Sequence, residues 1–298
     1  MLIEKQFDVL SLLAEHEHTE KKLSQRELSK ETGYSLGTVN SIITDLETNG
    51  FLKDGKLLPK AFSELEPYRV KKIIFIAAGV GTRMLPITLN TPKPLVRVKG
   101  QRIIDSIIDA ALDVGIEQIY VVRGYLSEQF DQLLYKYPMI KFIENPAYNE
   151  SNNIASALCA RYLLGNSYIC EADILLKKKN LIRKYQYKSN YCGVPCETTD
   201  DWCLQETKGY INGVSVGGTN GYRMVGISYW TEADGKKLAT CLERAYQMPG
   251  GKERYWDSVP LSIFINEFKL GIRKCSFADF DEIDTFSELK KLDNVYNV

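Results

Sequence analysis

The residues able to do chemistry crowd into one stretch, Ile73 to Leu95, which reads IIFIAAGVGTRMLPITLNTPKPL. Gly79 and Gly81, with Ala78 and Thr82 beside them, let the backbone approach a ligand closely, and successive N–H groups in such a loop can cradle phosphate oxygens. Arg83 adds a fixed, multidentate positive charge. Lys93 stands between Pro92 and Pro94, whose stiff backbone aims its ammonium. The chemistry implied is the binding of phosphate oxygens by aimed donors and fixed positive charge. Phosphates in turn call for a divalent cation, and magnesium prefers carboxylate oxygens. Asp173, at the end of the apolar run Ser167–Cys170, is the first candidate ligand. Asp284, in Glu-Ile-Asp-Thr, is the second. A single aspartate serves equally well as a helix cap or turn residue, and Asp284 immediately precedes a helical pattern.

Other chemistries fit less well. A P-loop needs Gly-Lys-Ser/Thr, which does not follow Gly81, and a dinucleotide fingerprint needs a third glycine where Met84 stands. Two glycines alone would also suit an ordinary turn. Seven cysteines without pairing pattern point to reduced thiols and a cytoplasmic location. Cys192, Cys196 and Cys203 do not have common zinc spacing. The two histidines, His16 and His18, lie far from the glycine loop in sequence, which argues against histidine acid–base catalysis.

The whole string AAGVGTRMLPITLNTPKPL resembles the signature of the sugar-phosphate nucleotidyltransferase superfamily. That resemblance implies that the strand-end aspartate Asp173 and Asp284 of the EIDT segment hold Mg²⁺; Ala172 departs from a position where glycine is frequent. The segment Asn145 to Leu158, NPAYNESNNIASAL, is similar to that of bacterial CTP:phosphocholine cytidylyltransferases, and the match runs in order over residues 73–290. It implies CTP and phosphocholine as partners, and CDP-choline and pyrophosphate as products. It places Ala78, Gly79, Gly81, Thr82, Tyr125, Asn152 and Asn153 beside the nucleotide. Arg83 then stabilises departing pyrophosphate, and Lys93 holds the α-phosphate and the incoming phosphate. A quaternary ammonium has no N–H to donate and is held by aromatic faces and carboxylates. Trp202, Tyr255, Trp256, Asp257 and Glu282 supply both and are the expected choline residues. Other amino-alcohol phosphates, an aminophosphonate, or a hexose 1-phosphate remain alternative acceptors. A DNA-binding regulator using the fold as a ligand sensor is the alternative of another class, against which Arg83, Lys93, Asp173 and Asp284 all argue.

These residues need a scaffold. From residue 69 to 298 helical and strand patterns alternate, predicting a Rossmann-like, mixed but mostly parallel α/β sheet with ligands at the strand carboxyl ends. Strands are expected at Ile73–Ala77, Ile119–Val122, Ile140–Ile143 and Ser167–Cys170, and a helix at Ile103–Leu112. Ser127 is expected to cap a helix, Ser151 to open one running to Leu164, and Val259–Phe268 to form another. Tyr191–Tyr229 reads as antiparallel strands over the site. Arg123-Gly124-Tyr125 and Asn145 are expected on the ligand edge.

Residues 1–68 read differently. An amphipathic Leu2–Ala14, a capping box at Ser24–Glu27, a Ser35-capped Leu36–Thr48 and an Asp54-Gly55 hairpin predict a small winged helix-turn-helix domain. Its eight Lys/Arg face twelve Asp/Glu, net −4, in a chain that is neutral overall. The candidate recognition helix has no Lys or Arg, whereas phosphate contacts dominate DNA affinity. DNA is therefore an open partner, with homodimerisation or regulation the favoured role. No membrane partner is expected, since no apolar run reaches the ~20 residues of a span.

Overall fold

A computed structural model of the chain describes residues 2–17 and 23–297. They divide into two units. One comprises Met1–Val70 with Arg183–Tyr187, the other Lys71–Ile182 with Lys188–Val298.

The first unit follows its local signals. Helix Gln25–Thr32 starts at a Ser24–Glu27 capping box and stops at Gly33, whose φ of 73° is left-handed. Ser35 caps Leu36–Thr48 by accepting from the Thr38 amide. Asp54 and Gly55, with φ of 50° and 70°, turn the hairpin that pairs Leu52 with Leu57. Helix Glu4–Glu15, rather than Leu2–Ala14, turns Phe7, Val9 and Leu10 into a core shared with Leu28, Val39 and Leu46. Tyr185 joins that core from far along the sequence. The segment 183–187 is held by backbone bonds from Val70 to Lys184 and from Gln186 to Tyr68, and Tyr187 stacks on Tyr68 at 5.4 Å. His16 bonds the Leu12 carbonyl of its own helix; His18 lies outside the described residues.

The second unit is built on a seven-stranded sheet. The middle of its parallel part is Lys72–Ile76, where Ile73, Ile74 and Phe75 are fully buried, and parallel strands flank it on both sides: Gln118–Arg123, and Ser167–Glu171. Lys141–Glu144 adds a further parallel strand. Tyr210–Trp230 then pairs antiparallel with Ser167–Glu171 and with Asn190–Thr207, and Gly271–Lys274 closes that edge in parallel. The sheet is thus mixed and parallel-rich, as the alternating pattern predicts. Helix Ile103–Asp113 buries an almost continuous apolar surface, and helix Glu232–Tyr246, capped by Thr231, helps cover a core containing Trp230, Tyr191 and Trp256.

Three helical expectations need correction. Ser127–Tyr135 is a run of tight 3₁₀ turns entered from Leu126, and Ser127 is not its cap. The Ser151 helix instead begins at Ile154 and ends at Cys159, followed by a 3₁₀ turn at Arg161–Leu163. Ser151 does not cap because its hydroxyl donates to the Lys252 carbonyl at 2.7 Å. Val259–Phe268 is a π-turn, Val259–Ile263, followed by a 3₁₀ turn, Ile265–Glu267. Among the described residues no helix is long and apolar enough to cross a membrane.

Candidate active site

A cavity of about 740 Å³ opens at the carboxyl ends of the parallel strands of the second unit. Its floor is Ile76 to Gly81, and Arg83, Lys93, Asn145, Tyr148 to Asn153, Glu171 to Asp173, Lys252 and Glu253 wall it. The loop earns its glycines separately. Gly81 has φ 68°, and a Cβ there would press on Thr88 and Lys93 at 3.2 and 3.3 Å. At Gly124 a Cβ would lie 2.6 Å from Tyr148, so only glycine lets that ring seat against the wall.

Lys93 is the electrostatic centre. Its Nζ donates to Asp173 Oδ2 and Asp284 Oδ1, both at 2.9 Å. Burial disfavours the ammonium, but the two carboxylates outweigh it, and the lysine pKa is raised. Asp284 also accepts from Arg83 Nη2 at 2.7 Å. Burial pushes its carboxyl up, yet Lys93 and then Arg83 pull harder, and its pKa is lowered. Thr285, not Asp284, caps the final helix Phe286–Leu292, so Asp284 is free of the capping role its position suggested.

The strand-end alternation Glu171-Ala172-Asp173 places two carboxylates together, and Glu282 completes the group: one oxygen of each lies within 4.8 Å of the others. Asp173 Oδ1 is buried without a hydrogen-bond partner. A buried orphan carboxylate oxygen among other hard oxygen donors suits a divalent cation. Burial, with Asp173 next, raises the Glu171 carboxyl well above its ordinary range, and burial and Asp173 push Glu282 up to about 8. Among the described residues no cysteine joins a metal-sized cluster, and all seven cysteines are free thiols.

The expected nucleotide residues separate into two groups. Ala78, Gly79, Gly81, Asn152 and Asn153 line the cavity. Thr82 and Tyr125 are not among its lining. Thr82 starts a 3₁₀ turn, and Tyr125 braces the loop, its amide on the Ala78 carbonyl at 3.1 Å and its hydroxyl on the Thr88 carbonyl at 2.8 Å. Arg123, expected on the ligand edge, is engaged by Asp131 and Glu144. The paired asparagines clasp a distant loop: Asn152 bonds the backbone of Lys252 and Glu253, and Asn153 Oδ1 accepts from the Trp256 amide at 2.8 Å.

The expected choline residues all lie outside the cavity lining and divide between surface and core. Trp202 and Tyr255 meet edge to face at 5.7 Å, with Tyr255 half exposed. Trp256 is 2% exposed and packs between Tyr191 and Trp230 in the core. Asp257, also buried, accepts from the Tyr191 hydroxyl at 3.0 Å, and burial raises its pKa to about 7. Glu282 is bonded by Arg223, which also holds Asp201. Sequence reasoning gave no role to Glu171 or Arg223. Period-two alternation beside Asp173 marks Glu171; nothing local marks Arg223, which reaches Glu282 across 59 residues.

Comparison with known proteins agrees with this geometry. Residues 72–200 match the family described as Nucleotidyl transferase, and residues 2–55 match the MarR family. The chain is 38% identical over 227 residues to a 2-aminoethylphosphonate cytidylyltransferase of Lancefieldella rimae, covering 75% of this chain and 92% of that protein. It is 32% identical over 226 residues to a choline-phosphate cytidylyltransferase of Streptococcus pneumoniae, covering 75% and 97%. The solved CTP:phosphocholine cytidylyltransferase of Streptococcus pneumoniae superposes with TM-score 0.70 at 33% identity, over 76% of this chain and 99% of that one. A strand-end acid cluster facing a glycine loop, on this sheet and with these relatives, places the chain in the nucleotidyl transferase family as a cytidylyltransferase preceded by a MarR-like winged helix-turn-helix.

Proposed function

We propose that the enzyme transfers the cytidylyl group of CTP to a small acceptor that carries a phosphonate or phosphate at one end and a primary ammonium at the other, with 2-aminoethylphosphonate the best fit. One observation carries the choice of acceptor. Trp256 is withdrawn into the core, and beside the cavity Glu282, grouped with Asp173, is joined through Arg223 to Asp201, the residue before Trp202. Carboxylates reward an ammonium that keeps its N–H donors, whereas a trimethylammonium needs aromatic faces. The identity to the Lancefieldella rimae enzyme supports the same reading.

In this reading an acceptor oxygen attacks the α-phosphorus of CTP in line. The new P–O bond forms as the bond to the β-phosphate oxygen breaks, and pyrophosphate leaves with the electron pair. Asp173, the acid shared by the Glu171–Asp173–Glu282 group and by Lys93, would hold Mg²⁺ together with Asp284, which lies outside that group but on the same lysine; the ion supplies charge neutralisation on the phosphate oxygens when bound. Lys93, held between the two aspartates, has its ammonium aimed where negative charge accumulates. Arg83, 67% exposed on its side chain and held at one nitrogen by Asp284, has donors left over for the departing pyrophosphate. Gly79 leaves open space where a Cβ would stand, which suits the close approach of triphosphate. The winged unit takes a regulatory or dimerising role in this proposal, since Leu36–Thr48 carries no cation with which to hold DNA phosphate.

Phosphocholine is the second reading, favoured by the Trp202–Tyr255 pair and by the Streptococcus pneumoniae likeness. Pyrophosphate release with CTP or UTP, measured against 2-aminoethylphosphonate, phosphoethanolamine, phosphocholine and glucose 1-phosphate, decides. The expected result is CTP dependence and the highest kcat/KM with 2-aminoethylphosphonate. A higher value with phosphocholine transfers the conclusion to the second reading, and glucose 1-phosphate as the best acceptor sinks both.

A further inference from the structure

Arg223 bridges the two carboxylates assigned to the acceptor's ammonium. It stands on Tyr210–Trp230 where the neighbouring long strand bends back, so that Arg223 pairs in register with both Val194 and Cys203. From that corner its Nη2 donates to Glu282 Oε2 at 2.8 Å and to Asp201 Oδ2 at 3.0 Å, and its Nε reaches the same Asp201 oxygen at 3.2 Å. The guanidinium also lies over the Phe277 ring, 5.4 Å from its centroid. Only a quarter of the side chain is exposed. Glu282 in turn belongs to the acid group that includes Asp173, the partner of Lys93. Arg223 is thus one carboxylate away from the phosphate-binding centre.

We propose that Arg223 is a specificity-determining residue, an internal cation that restricts the acceptor end to compact ammonium groups retaining N–H donors. The inference rests on the acceptor end lying at Asp201 and Glu282. Two physical effects act together. The guanidinium offsets negative charge on the Asp201–Glu282 pair, which weakens the diffuse attraction that a quaternary ammonium depends on. It also fills volume between Asp201 and Glu282 and fixes the carboxylates as directional acceptors. A primary ammonium still recovers its desolvation cost by donating to the lone pairs that Arg223 leaves open. A trimethylammonium has no donor to offer and meets a like charge at close range. Removing the guanidinium should therefore favour the bulkier cation more than the smaller one.

The test uses the full-length enzyme as wild type, Arg223→Ala and Arg223→Lys, at saturating CTP, with 2-aminoethylphosphonate and with phosphocholine. Arg223→Ala should raise the ratio of kcat/KM for phosphocholine over 2-aminoethylphosphonate by about tenfold or more, the scale on which a remodelled pocket discriminates by size. Its KM for CTP should stay within about twofold of wild type, because the nucleotide contacts lie elsewhere. Arg223→Lys, which keeps the charge, should hold the wild-type ratio. An unchanged ratio in a folded Arg223→Ala enzyme overturns the proposal, as does an equal loss for both acceptors and CTP, which would mark Arg223 as structural. Should the alanine variant not fold, Arg223→Gln gives the same readout with two N–H donors retained. Wild-type preference for phosphocholine would overturn the acceptor reading alone. The shift in ratio between wild type and variant judges Arg223 whichever acceptor the wild type prefers.

Discussion

Replacing Lys93 by methionine keeps the unbranched apolar stem of the side chain and removes the charged amino group. In the native site the ammonium is 2.9 Å from Asp173 and from Asp284, with its side chain 13% exposed. At an effective dielectric of about 20, each such contact is worth roughly 4–6 kcal/mol before desolvation is subtracted. Breaking a buried pair by removing one partner typically costs about 3–5 kcal/mol, because a charge is left uncompensated. The two aspartates keep 16% and 22% of their side-chain surface, so water partly compensates them. The expected destabilisation is therefore nearer about 2–4 kcal/mol. Turnover should fall separately, by about 10²–10³-fold, the usual effect of deleting one preorganised charge from a transition-state site.

The pH dependence distinguishes this account from a packing defect. The Asp284 pKa is depressed in the folded chain below its ordinary 3.8, so its contribution is present above that value and is lost as pH falls through the folded pKa. The Lys93 pKa is raised above 10.5, so its contribution is present below that value and is lost as pH rises through the folded pKa. The difference in unfolding free energy between wild type and Lys93→Met, taken from urea curves, should be flat between these limits and shrink beyond either. A difference that stays constant down to strongly acid pH would refute the electrostatic account. Pyrophosphate release at the wild-type rate would remove Lys93 from the mechanism.

Two further outcomes follow from buried groups outside the cavity. Asp257, buried against Tyr191, has its pKa raised from 3.8 to about 7, so the wild type should lose stability as pH rises through that window, by at most about 4 kcal/mol at ~1.4 kcal/mol per tenfold. Asp257→Asn, which can still accept from the Tyr191 hydroxyl, should abolish that slope; a variant with the same pH profile in thermal melts would show that Asp257 ionises freely. A fragment of residues 71–298 carries Tyr185 and Tyr187 without the core and rings they pack on, Tyr185 being 4% exposed in the whole chain. It should associate at concentrations where the full chain does not, and Tyr185→Ser with Tyr187→Ser should restore its solubility while pyrophosphate release is kept; light scattering reads the first and the coupled assay the second.

The winged unit was legible because its signals are local. Ser24, Gly33, Ser35 and Asp54-Gly55 each act on backbone within a few residues, and each does in the structure what its type demands. The strands were legible for a similar reason: a strand buried on both faces must be a short apolar run. Ser151 and Ser127 show where that logic stops. A serine before an apolar stretch is a cap only when nothing better reaches its hydroxyl, and for Ser151 the Lys252 carbonyl, 101 residues away, does.

Side chains that meet only through the fold were the least legible. The Gly loop, Lys93 and Asp173 declare themselves by loop and strand-end position, but an aromatic residue beside an acid has two competing fates. Trp202 and Trp256 both neighbour an aspartate in sequence, yet one meets Tyr255 near the surface and the other is enclosed by Tyr191 and Trp230. The difference lies in the backbone. Asn153 fixes the Trp256 amide, and the π-turn at Val259–Ile263 follows at once, which turns the indole inward. The same clasp ties the segment expected at the nucleotide to the loop that carries Tyr255. In the proposed reading, acceptor choice and nucleotide binding share one hydrogen-bonded connection, Asn152 and Asn153 to Lys252–Trp256. Arg223, on Tyr210–Trp230 and bonded to Asp201 and Glu282 instead, is where the proposal expects acceptor preference to change while CTP binding does not.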